Sequence, residues 1–66
     1  MKKEKLLNII QQALEGQERA HDFYRIAAID ISDPVIRATF ERFANTELSH
    51  AAVLRKIYGD LSDLTS

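Results

Sequence analysis

The 66-residue sequence contains no cysteine, a single proline and only two glycines, and it has no long apolar run. Without cysteine, disulfides and thiolate metal sites are excluded. A helix that crosses a bilayer needs ~20 consecutive apolar residues, and no stretch here approaches that. No apolar segment of the signal-peptide kind follows Lys2 and Lys3, so the expected compartment is cytoplasmic. Charge of one sign is lacking too: nine Lys and Arg face ten Asp and Glu, for a net charge of −1. The only basic cluster, Met1 to Lys5, is too short to form a nucleic-acid footprint. Nucleic-acid and membrane-spanning functions drop out.

What is present suits a folded helical domain: 45% hydrophobic and 29% charged residues, interspersed,. Apolar positions recur at helical spacing from about Glu4 to Ile31, through Leu6, Ile10, Leu14, Tyr24, Ala28 and Ile31. A second such segment runs from about Pro34 to Tyr58, through Ile36, Phe40, Phe43, Ala44, Ala51, Leu54 and Tyr58. Between them, Asp33-Pro34 reads as an N-cap followed by proline at the first helical position. Gly59 predicts a left-handed cap that ends the second helix and leaves a short polar tail over 60–66. So brief a connection makes the helices antiparallel. The expected fold is all-α, one domain over 1–66: an antiparallel two-helix hairpin with helices about 4–31 and 34–58.

Two such rods meet along one seam only. Phe23, Ile26 and Ile29 on the first helix and Val53 and Ile57 on the second lie off the centre of either stripe. A chain this short, with no disulfide, needs added stabilisation. A homodimer that forms a four-helix bundle, or a multiple of it, is the economical solution.

At ~100° per residue, Glu47 falls near the centre of the second stripe, where the pattern calls for an apolar side chain. His50 follows one turn later on the same side. An unpaired buried carboxylate is costly, so Glu47 needs a partner. Glu-x-x-His on an inward helical face builds metal sites in bundles, and an internal ion pair between Glu47 and His50 is the plainer alternative. On the first helix the stripe passes through Gln17. Glu18, about 100° away, and His21 form another Glu-x-x-His pair, though a solvated glutamate and a rim histidine explain them equally. Gly16 sits mid-helix at a cost of ~1 kcal/mol against alanine, as the mark of a close approach, a small bulge or nothing in particular. Tyr24 reads as core, with a hydroxyl that needs a partner when buried; Glu47 is a plausible one.

The segment Phe23-Tyr24-Arg25-Ile26-Ala27-Ala28, with Asp33-Pro34, Phe40, Ala44, Glu47-Leu48-Ser49-His50 and Leu54, resembles half of a rubrerythrin or ferritin-like bundle. A single hairpin per chain is similar to the encapsulated ferritins, whose di-iron site assembles between two protomers. The resemblance covers roughly Leu14 to Tyr58. It implies iron (a di-iron pair, alternatively Mn or Zn), with Glu47 bridging, His50 terminal and Tyr24 orienting Glu47 as part of the catalytic machinery. It also implies ferroxidase or peroxide- and oxygen-reducing activity of an oxidoreductase. The first-helix glutamate of the family, seven residues before the tyrosine, is here Gln17, for which Glu18 or His21 would have to substitute. If none does, a dimer offers only two Glu47 and two His50, enough for a weaker or different metal site; the alternative is a metal-free helical assembly module. The stretch from Gly59-Asp60-Leu61 to Leu64-Thr65 is loosely similar to peptides that dock cargo inside encapsulin shells, and is otherwise an untethered end.

Overall fold

In the computed structural model, which describes residues 1–64, the chain forms two α-helices, α1 (Lys3–Asp30) and α2 (Pro34–Asp63). They are antiparallel, as expected: Lys3 Nζ near the start of α1 donates to the Ser62 carbonyl near the end of α2, while Tyr24 meets Phe40 close to the turn. No strand occurs among the described residues.

The turn follows from its residues. Asp33 Oδ1 accepts from the backbone N–H of Val35 (2.9 Å) and Ile36 (3.0 Å), satisfying two of the donors that every helix start leaves orphaned. Pro34 sits in the first turn, where it removes no helical hydrogen bond,. Arg37 Nε donates to the Ile31 carbonyl at 2.8 Å, tying the end of α1 to the first turn of α2.

The second helix differs from expectation at its far end. Gly59 does not cap it: its φ is not positive, and α2 continues to Asp63. The ~1 kcal/mol cost of a helical glycine is offset by contacts beyond it. Leu61 is half-buried, Lys3 reaches the Ser62 carbonyl, and Lys56 pairs with Asp60 one turn on, at 3.2 Å,. The predicted free tail is therefore helical over 60–63, with Leu64 as its C-cap, and Thr65 and Ser66 lie outside the described residues. At Gly16, α1 is unbroken α-helix with no bulge.

The core is thin. Its buried hydrophobic residues are Ile10, Leu14, Ala28, Ala44 and Ala51, three of the five being alanines. The hairpin is a rod of 50 × 15 × 14 Å with a radius of gyration of 15.2 Å, against about 11 Å for a compact chain of this length. Its accessible surface is 4975 Å², where a compact monomer of 7.5 kDa exposes about 4,250 Å². The excess, about 700 Å², approaches the ~800 Å² that one partner contributes to a standard interface.

The two sides of the rod differ. On one side α1 presents Ile9, Ala13, Gly16, Ala20, Phe23 and Ala27, at alternating spacings of four and three that keep them in one row. Beside it α2 presents Phe43, Thr46, His50, Val53 and Ile57, spaced the same way. Phe23 is 64% exposed and Val53 59%. A groove lined by Ala13 and Gln17 from α1 and by His50, Val53 and Leu54 from α2 shows that the two rows share a side. The opposite side carries the Glu18–Arg55 ion pair at 3.6 Å and a groove lined by Arg25, Ala28, Ile29, Arg37 and Glu41. One side is apolar around a histidine; the other carries the charged groups, with the exposed Ile29 among them.

Candidate metal-binding face

Helical register sets the polar groups of the apolar side. Glu47 and His50 are one turn apart on α2, with Glu47 Oε2 3.8 Å from His50 Nδ1. The Glu47 side chain is 20% exposed and that of His50 55%, so the carboxylate lies towards the seam and the imidazole towards the open face. The two groups expected to pair are thus neighbours, at a separation too long for a direct hydrogen bond,.

Gln17 lines the same groove as His50, across the seam on α1. Its Oε1 is shut off from water and receives no hydrogen bond, whereas nearly all buried polar atoms in folded proteins have a partner. An acceptor left in this way costs about 1–3 kcal/mol and marks a position short of a donor or a cation.

Tyr24 is held by its ring. It packs edge-on against Phe43 at 5.3 Å, Phe23 at 5.6 Å and Phe40 at 5.8 Å between centroids, an arrangement that matches the positive edge of one ring to the negative face of the next. Its hydroxyl makes no hydrogen bond to Glu47 among the described residues. In a single hairpin Tyr24 is an aromatic anchor beneath the apolar face.

The other Glu-x-x-His pair is split. His21 turns into the seam, where its Nδ1 lies 2.9 Å from the Ala44 carbonyl. A carbonyl only accepts, so Nδ1 carries a proton and donates it to Ala44,. Glu18 turns to the charged side and pairs with Arg55, itself about 140° round α2 from His50. The structure therefore brings together Gln17, Glu47 and His50 and leaves Glu18 on the far side.

No group of three or more His, Cys, Asp or Glu that could hold a metal ion forms among the described residues. A single chain offers one carboxylate, one imidazole and one amide on this face, whereas Zn²⁺ takes about four ligands and other divalent ions up to six. The donor types fit a first-row transition ion; their number fits half of a site. Because the face that carries them is also the apolar one, a second copy placed on it would supply the other half.

What the sequence reading missed is the second row itself. Beside Phe23, which lies off the centre of the main stripe, Ile9, Ala13, Gly16, Ala20 and Ala27 are visible at heptad-like spacing, but the many small residues among them give a weak hydrophobic signal.

The family model for rubrerythrin matches residues 8–65. No curated protein and no solved structure matches the chain.

Proposed function

The chain belongs to the rubrerythrin family, and on that premise we propose that two copies pair through the apolar face into a four-helix bundle that binds divalent metal, iron foremost, in the seam between them. The observation that carries this is the position of Glu47 and His50: a loosely paired carboxylate and imidazole on the same face as the exposed Phe23, Val53 and Ile57. Docking a second copy there removes water from both groups, which a carboxylate tolerates only next to a cation. A twofold axis brings the same residues from each chain to one place.

Within that site Glu47 and His50 are the ligands, and Gln17 adds a neutral oxygen. Tyr24, fixed by its aromatic neighbours, holds the α1 side of the seam in register with α2. Bound iron would supply redox chemistry towards peroxide or oxygen, and Glu47, His50 and Gln17 are the residues that would hold it,. The apolar walls around Ala13, Val53 and Leu54 keep bulk water out.

Anaerobic loading with Fe(II), followed by gel filtration and elemental analysis, tests the proposal. The protein retains iron and Glu47→Gln loses it; equal retention by the variant would sink the assignment. A second reading, a metal-free assembly module, draws support from the neutral Gln17. The two differ in thermal stability with and without a chelator. A ligand at ~100 times its Kd stabilises by about 2.7 kcal/mol, so removing a bound ion lowers Tm, whereas a metal-free module melts unchanged.

A further inference from the structure

The number of ions the paired chains can hold follows from the charge on the apolar face, and this step rests on the metal-binding reading above. Each chain brings one carboxylate to that face, Glu47. The other acidic residues near the site are turned away from it. Glu18 is about 100° from Gln17 around α1 and is engaged by Arg55 at 3.6 Å. Glu15 accepts from Gln11 at 3.3 Å in an exposed contact, and Glu41 lines the groove on the opposite side. Bundle sites that hold two metal ions use four carboxylates, one from every helix, with two histidines. On that face two chains supply two carboxylates, the two His50 imidazoles and two neutral amides, while His21 is held in the seam against the Ala44 carbonyl. That charge of −2 balances one divalent cation; a second would leave two positive charges uncompensated in a seam with little water. Gln17 occupies the seam-facing position on α1, and its buried, unpartnered Oε1 suits a neutral contact to a single shared cation.

We infer that a pair of chains binds one divalent metal ion rather than two, and that Gln17 is the residue that sets this count. The amide replaces a charge that a two-ion site requires, and among the described residues no other carboxylate near the site is placed to restore it.

Native mass spectrometry of the purified protein, loaded anaerobically with Fe(II) and in a separate series with Zn(II), reads the count directly. The wild type carries about one ion per two chains, and Gln17→Glu, which brings the carboxylates to four, carries about two. Gln17→Ala stays at one. Two ions per pair in the wild type or in Gln17→Ala would overturn the inference and leave the metal-binding reading standing. A folded Gln17→Glu protein that stays at one overturns it as well. A wild type that takes up neither ion overturns both. If Gln17→Glu loses its helical circular dichroism, the wild-type and Gln17→Ala counts decide the matter between them.

Discussion

The two glycines provide a matched pair of substitutions that tests the assembly through the backbone alone. Both lie within helices, where glycine costs roughly 1 kcal/mol relative to alanine. A Cβ added at Gly59 would meet nothing within 4 Å, and one at Gly16 would meet only the Arg19 guanidinium at 3.8 Å, an ordinary contact. In a lone hairpin Gly16→Ala and Gly59→Ala should therefore behave alike. Each should raise stability by about 1 kcal/mol, which for a chain of this size lifts Tm by roughly 4–8 °C. Gly59 stands nine residues from His50, about 180° round α2, away from the apolar face. Gly16 stands on that face, seven residues before Phe23 and in the same row. If a second copy packs there, the new methyl meets it, and overpacking costs about 1–3 kcal/mol, or between about fivefold and about 150-fold in the dimer dissociation constant. Sedimentation equilibrium, with thermal melts at several concentrations, separates the outcomes. Gly59→Ala raises Tm and leaves the dissociation constant unchanged, while Gly16→Ala weakens association. If Gly16→Ala stabilises as Gly59→Ala does, with association intact, the close approach at Gly16 is refuted.

Three further outcomes follow from the same geometry. Asp33→Ala removes the acceptor of both capping hydrogen bonds and should lower stability by about 1 kcal/mol, seen as a lower urea midpoint at unchanged slope. Glu18→Gln breaks an ion pair between two half-exposed side chains, worth no more than about 0.5 kcal/mol after solvent screening; metal loading should be unchanged, and its loss would mean that Glu18 is a ligand after all. Phe23→Ser changes a residue 64% exposed in the single chain, so helical circular dichroism at low concentration should persist while self-association weakens measurably by sedimentation.

The hairpin was legible because its signals are local. Asp33-Pro34 is a cap and a helix start in two residues, and the stripe through Ile10, Leu14 and Ala28 needs only the helical period. Gly59 misled because a left-handed cap forms only where the chain leaves the helix. Here contacts from residues distant in sequence, such as Lys3 to the Ser62 carbonyl, keep the chain helical past it. Glu47 and His50 were legible as a pair one turn apart. The separation of Glu18 from them was not: which flank of α1 shares a side with which flank of α2 depends on how the two helices meet, and helical period alone does not encode that. The Glu18–Arg55 contact and the groove joining Gln17 to His50 supply that missing relation.

On the proposed pairing, splitting a bundle into two identical hairpins would make assembly and metal binding a single equilibrium. A lone chain holds one carboxylate and one imidazole, too few to retain an ion against water, and a bare pair of chains must bring two Glu47 carboxylates into one seam, where like charges repel. Each event removes the obstacle to the other. The cation neutralises the charge that opposes docking, and docking completes the ligand set that a lone chain lacks. Thermodynamic linkage then requires that metal tighten the dimer by the same factor by which dimerisation tightens metal. With so few large side chains in its core, the hairpin has little stability of its own to mask this coupling, so available metal would set how much of the protein is assembled.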